Sequence, residues 1–341
     1  MPFGNTVVTI AGMNAKKALW KLPPAALWIG IVSLFFAAAL HAQDASPTAA
    51  EILKIKWVNP PEDPPTGVMH ATFASKAVNA EVGYNIYLPE AYEKEPDRPF
   101  PVVYFLHGSG GHESRNADLA AHLHRAIGEG EVGPMLMVFV NGGRNSAYLD
   151  SVDGTVKVET MFMTELIPHI DATYRTIASR KGRGIEGFSM GGGGALRFAL
   201  KFPEQFSSVM VYGAGGMREL KTMPTADDIR SRGNKQQKLQ ARKAIMGDDL
   251  EAWRKTNSFH LAKENLDRVQ GGLGIRMLIG TGDFSLEGSH VAQNRFAELN
   301  IAHEYQLIGG VKHNIRELYQ REGVRGLRFH ERWFERAAAD H

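Results

Sequence analysis

The sequence predicts an α/β domain in which a mostly parallel sheet is covered by helices on both faces. Three observations carry this. Short, continuous apolar runs such as residues 101–107 (PVVYFLH) and 135–140 (MLMVFV) read as strands buried on both sides. Segments of helical periodicity alternate with them along the chain. The 341 residues, 43% hydrophobic and without a cysteine, are enough to bury such a core with no disulfide.

The elements follow in order. Lys16, Lys17 and Lys21 precede an apolar run over 25–40, and Leu40-His41-Ala42 offers a small residue after it. That is the order of a secretory signal spanning residues 1–42, cleaved near Ala42. The run falls short of the roughly 20 residues a membrane span needs, which favours a cleaved signal over a retained anchor. The expected location is therefore secreted or periplasmic, with no stable membrane association. Residues 43–65, with Asn59-Pro60-Pro61 and Pro64-Pro65 as breakers, read as a mostly extended leader. The catalytic domain is expected over 66–341. It opens on a strand pair, 68–75 and 81–88. Strands over 101–107, 135–140, 183–188, 206–212, 276–280 and 304–308 then alternate with helices over 119–127, 156–174, 190–202, 289–299 and 317–339. Residues 217–270 interrupt the alternation with two or three polar helices, basic over 230–243. They form a helical insert, read either as a solvated appendage or as a lid.

Gly187-Phe188-Ser189-Met190-Gly191 is a G-x-S-x-G sequence at a strand-to-helix junction. In that context the serine sits on a sharp turn with its hydroxyl above the sheet edge. The flanking glycines are expected because a side chain would strike the neighbouring turn. The helix start directs free N–H groups at the reacting centre. Ser189 is thus the candidate nucleophile. Gly192-Gly193-Gly194 continue into the helix at a cost in helix propensity, for which close helix–strand approach is the expected reason.

Strand 101–107 runs into His107-Gly108-Ser109-Gly110-Gly111, where the second oxyanion donor of such a site would lie. The candidate donors are the amides of Ser109 and Met190. His107 precedes the nucleophile and reads as a loop-forming residue. The order Ser, acid, His then points to Asp283, just past strand 276–280, and to His313, in the loop after strand 304–308. Asp283 would fix the imidazole tautomer, and His313 would take and return the serine proton. Glu287 is the alternative acid. His290 and His303 are rival bases, the first opening a helix and the second at the wrong end of a strand. Tyr148, Asp150 and Phe188 are expected to bind substrate. For Tyr148 and Asp150 the alternative is a packing aromatic and a turn-forming acid.

Taken together, Tyr87-Leu88-Pro89, YFLHGSGG over 104–111, Tyr148-Leu149-Asp150-Ser151, ELIPHI over 165–170, IEGFSMGGGG over 185–194, and the segments 280–284 and 309–314 resemble the α/β-hydrolase putative-esterase family. That group includes esterase D, feruloyl and acetylxylan esterases and the mycolyltransferases. The resemblance covers about 66–320. It implies an α/β-hydrolase fold, a triad of Ser189, Asp283 and His313, oxyanion donors at Ser109 and Met190, and hydrolysis of carboxylic esters without metal or cofactor. Secretion fits the branch acting on polysaccharide esters, so the expected partner is a small-molecule or polysaccharide-linked ester, feruloyl or acetyl. The alternatives are an acyltransferase using the same triad, a peptidase on the same fold, and a non-catalytic binding protein.

Other signals lead elsewhere. The net charge of +2 gives no footprint for nucleic acid. The G-x-G-x-x-G at 128–133 precedes a strand and opens no helix, so it cannot present a helix start to a pyrophosphate. His112, Asp118, His122 and His124 lack the spacing of a recognised metal site.

Overall fold

The computed structural model describes residues 46–215, 220–229 and 234–339. The expected signal, residues 1–42, lies outside them. Among the described residues eight strands form a single sheet: β1 (Val68–Ser75), β2 (Ala80–Tyr87), β3 (Val102–Leu106), β4 (Leu136–Val140), β5 (Arg183–Phe188), β6 (Ser208–Tyr212), β7 (Gly274–Gly280) and β8 (Glu304–Ile308). Their spatial order is β1-β2-β4-β3-β5-β6-β7-β8. Only the β1–β2 and β2–β4 pairs are antiparallel. The chain moves outward one way from β3 to β4 and the other way from β5 onward. The reversal falls between β3 and β5, and ligands of open α/β sheets bind at the carboxyl ends of strands flanking such a point.

Strand alternation divides the core between the two faces. Val102, Tyr104 and Leu106 of β3 join one apolar cluster, while Val103 and Phe105 join the other. Helices α1 (Ala49–Leu53), α2 (Ala120–Gly128), α3, α4 (Met190–Lys201), α5 (Lys235–Met246), α6 (Leu250–Lys255), α7 (Ser258–Glu264), α8 (Leu266–Gln270), α9 (Leu286–Glu298) and α10 (Ile315–Ala339) cover the sheet or build the insert. Helix α3 comprises Val158–Thr160, a π-helical turn over Met161–Leu166, and Ile167–Thr173. Its Glu165 accepts hydrogen bonds from Ser75 Oγ at 2.5 Å and from the amides of Lys76 and Ala77, which pins the β1–β2 turn to the helix. This gives the 165–170 segment a structural reason to be distinctive.

Two expectations change. The leader is not simply extended: Thr48 and Glu51 form a capping box that starts α1, and Lys54 in the left-handed region ends it. The insert holds four helices, α5 to α8, beside a short 3-10 turn, among the described residues. Ile229, Leu239 and Trp253 give it an apolar cluster of its own. The amide of Val152, in the loop after β4, donates to Ile245 O of α5 at 2.8 Å. No described helix is long and apolar enough to cross a membrane.

Candidate active site

The elbow after β5 is built by backbone collision. Ser189 has φ 56° and ψ −114°, a conformation costly for any residue with a Cβ. Its amide donates to Tyr212 O of β6 at 2.9 Å, which ties the turn to the neighbouring strand. A Cβ on Gly191 would lie 2.0 Å from Leu106 O, and one on Gly187 2.4 Å from the Gly191 carbonyl. Helix α4 therefore leaves the sheet in contact with the end of β3. Gly192 and Gly194 are also closely approached, by Ala214 and Tyr148. Gly193 faces open space, and nothing in the structure explains it.

Loops at the ends of β5, β7 and β8 bring the three candidate triad residues together. Ser189 Oγ lies 2.9 Å from His313 Nε2, and His313 Nδ1 lies 2.8 Å from Asp283 Oδ2. A carboxylate only accepts, so Nδ1 carries the proton and Nε2 is free to accept from the serine. Burial pushes the Asp283 carboxyl up, but hydrogen bonds from His313 and from Ser285 outweigh it and hold it below its ordinary value. Ser285 donates its amide to Asp283 Oδ1 at 2.8 Å, and its hydroxyl lies 2.7 Å from the same oxygen and 3.0 Å from Gly213 O. Two rings pack near the imidazole: Phe188 at 4.5 Å and Phe284 at 4.2 Å between centroids. Phe284 lies in the 280–284 segment but was given no role, and Ser285 did not stand out; the adjacency of both to Asp283 is the signal that was present.

The loop after β3 flanks the serine. Gly108 faces Phe188 and Ser189, and Ser109 is exposed beside it. Among the described residues the amides of Ser109 and Met190 donate to no protein group. His107 is buried: its Nδ1 lies 2.8 Å from Gly108 O, and its Nε2 accepts from the Gly142 amide. Burial lowers its pKa to about 4, so it is a neutral scaffold for the loop.

The substrate-binding expectations divide. Phe188 does stand beside the triad. Tyr148 is fully buried, and its hydroxyl donates to His107 O at 3.1 Å; it is a packing aromatic supporting the loop, not a pocket wall. The buried Arg197 of α4 holds it there by donating to Ala147 O and Tyr148 O. Asp150 accepts from the amide and hydroxyl of Thr160 at 3.0 and 2.6 Å and so fastens the start of α3. It borders a cavity of about 240 Å³ shared with Arg197, Lys255 and Leu261, a cavity that none of the triad lines. The rivals are engaged elsewhere: His290 with Tyr305, His303 with Ile301 O, and Glu287 on the exposed face of α9. Asp118 pairs with Arg316, His122 packs on Tyr319, and His124 lies 3.2 Å from the Tyr87 hydroxyl.

A strand-ordered sheet of this kind, with a serine elbow at its switch point, defines an α/β-hydrolase. The profile of the putative esterase family matches residues 75–327, and the chain belongs to that family. It is 34% identical over 140 residues to an esterase of Mycobacterium tuberculosis, a match covering 40% of this chain and 30% of that protein. It is 29% identical over 147 residues to an endo-1,4-beta-xylanase/feruloyl esterase of Xylanibacter ruminicola, covering 41% and 20% respectively. The chain thus matches less than a third of the length of either relative. Among solved structures, a ferulic acid esterase superposes with a TM-score of 0.64 at 23% identity, over 78% of this chain and 98% of that one, a likeness of fold.

Proposed function

We propose that the chain is an exported serine esterase that cleaves carboxylic esters through an acyl-enzyme on Ser189. The observation that carries this reading is the unbroken relay from Ser189 Oγ through His313 to Asp283, at 2.9 and 2.8 Å. His313 Nε2 takes the hydroxyl proton as Oγ attacks the carbonyl carbon. Asp283 keeps the proton of Nδ1 in place and offsets the charge of the imidazolium. The carbonyl oxygen, now an anion, turns toward the amides of Ser109 and Met190. His313 returns its proton to the leaving alcohol oxygen. A water then repeats the sequence, releasing the acid and restoring Ser189.

Feruloyl or acetyl esters carried on polysaccharide are the proposed substrates. The support is the likeness to a xylanase/feruloyl esterase and the secretory pattern of residues 1–42. The catalytic domain in this reading extends from 66 onward with the insert at 217–270, and the signal is removed near Ala42; the intact mass of exported protein tests the cleavage.

Wild type and Ser189→Ala are to be compared on p-nitrophenyl acetate, butyrate and octanoate and on methyl ferulate. The expected result is turnover of at least one ester, falling by about 10⁴-fold or more in the variant. A folded wild type inert on all four, or a variant equally active, overturns the reading.

A further inference from the structure

Glu113 is 1% exposed and lies four residues beyond Ser109, yet none of its ion-pair contacts is to a lysine or arginine among the described residues. Burying a carboxylate this deeply costs several kcal/mol unless its lone pairs are met. They are met by the leader and by the end of β4. The Asn59 amide donates to Oε1, Asn59 Nδ2 lies 3.1 Å from Oε2, and Asn141 Nδ2 lies 2.8 Å from Oε2. His70 Nε2 approaches Oε1 at 3.4 Å, and His112 Nδ1 approaches Oε2 at 4.0 Å. The neighbouring Ser114 donates its hydroxyl to Asn59 O at 2.5 Å and accepts from Asn85 Nδ2 at 2.9 Å.

The same leader segment holds the facing loop. Asn141 Nδ2 also reaches Lys56 O at 3.1 Å and Trp57 O at 2.8 Å, while Asn141 Oδ1 accepts from the Gly143 amide. The side chains of Ile55 and Trp57 close over Gly143, where an added Cβ would come within 2.8 Å of Ile55 Cδ1. The Gly83 amide donates to Trp57 O at 2.8 Å, which fastens the segment to β2. Arg144 O, one residue past Gly143, accepts from the amide of Gly110, next to Ser109. The Ser109 loop is thus gripped at Gly110 through residues 141–144 and at Glu113–Ser114 directly. Both grips run to residues 55–59.

We infer that residues 55–59 are a strap belonging to the catalytic apparatus, and that Glu113 is the positioning residue through which the strap sets the Ser109 amide. The inference rests on the esterase reading only in taking that amide as an oxyanion donor. Glutamine at 113 keeps the shape but turns an N–H group toward donors, so the grip opens without a cavity. A small displacement of an oxyanion donor is felt in the transition state and little in substrate binding.

The test compares wild type, Asn59→Ala, Glu113→Gln and the double variant. Three quantities are read: kcat and KM on the best ester, affinity for a trifluoromethyl ketone that mimics the tetrahedral adduct, and hydrogen exchange over 107–116 and 141–146. For Glu113→Gln, kcat and ketone affinity fall together by roughly ten- to a hundredfold while KM stays within about twofold. Exchange rises in both segments and not in β5 or β6. Asn59→Ala gives a smaller loss of the same kind, and the double variant loses no more than Glu113→Gln alone. Unchanged kcat with unchanged exchange overturns the strap, as does strict additivity. If Glu113→Gln does not fold, Asn59→Ala decides the matter on the same readouts. A wild type inert on every ester refutes the esterase reading; the exchange data then still judge the strap separately.

Discussion

The two edges of the site are held in opposite ways. On the acid–base edge each support is the sequence neighbour of a triad residue. Asp283 is hydrogen-bonded by Ser285, two residues on, and His313 packs near Phe188 and Phe284, which adjoin Ser189 and Asp283. On the oxyanion edge the supports are remote: Glu113 is met by Asn141 and Asn59, 28 and 54 residues away. The first edge is a set of short turns on strand ends and forms once the sheet forms. The second needs, beyond the sheet, residues 55–59 docked on the loops after β3 and β4. Damage to the first should therefore appear in chemistry with the fold intact, and damage to the second in loop order as well.

The largest effect expected on the acid–base edge is that of Asp283→Asn. The imidazole loses its tautomer control, and kcat should fall by about 10⁴-fold with little change in melting temperature. A loss below tenfold would mean another group orients His313. Next comes Gly191→Ala, at the joint between the edges. The added methyl must displace Leu106 O, and urea unfolding should show a loss of about 3 kcal/mol or more. Gly193→Ala, into open space, should instead be neutral or stabilising by up to about 1 kcal/mol.

The oxyanion edge carries a pH signature. His107 is held neutral by burial, with its pKa lowered to about 4. The unfolded chain takes up that proton at its ordinary pKa of about 6.5 and the folded chain does not. Stability contributed by neutral His107 is thus complete above about pH 6.5 and is lost as pH falls toward 4, by about 3 kcal/mol. His107→Gln should flatten that part of the stability profile, and an unchanged slope would assign it to other groups. A modest effect should come from Ser285→Ala on the acid–base edge. The Asp283 carboxyl lies below its ordinary value, so its contribution is present above that value and disappears as pH falls through the folded one. Removing the hydroxyl should move acid unfolding to higher pH and lower kcat roughly fivefold.

This contrast also accounts for what was legible in the sequence. Ser189, Asp283 and His313 could be placed at strand ends because each follows an apolar run and obeys a fixed chain order, and the structure sets them within hydrogen-bond distance of one another. The sheet's strands lie close to their expected positions for the same reason. Tyr148 and Asp150 misled because a loop past a strand can face inward as readily as outward. Partners far along the chain, His107 O and the Arg197 guanidinium, show that Tyr148 belongs to the interior. The helix at Ala49–Leu53 was hidden by the prolines downstream of it, although Thr48 and Glu51 already spelled its cap. Glu113 was not legible as a positioning residue, since a lone glutamate in a polar loop reads as solvated until its partners are known.

The rings around His313 have a bearing on charge that geometry alone does not express. In each half of the proposed reaction the imidazole becomes a cation for as long as the tetrahedral species lasts. At that moment it meets the Asp283 carboxylate at one nitrogen and has the tilted rings of Phe188 and Phe284 close by. Rings this close limit how far the imidazole can turn while it carries that charge.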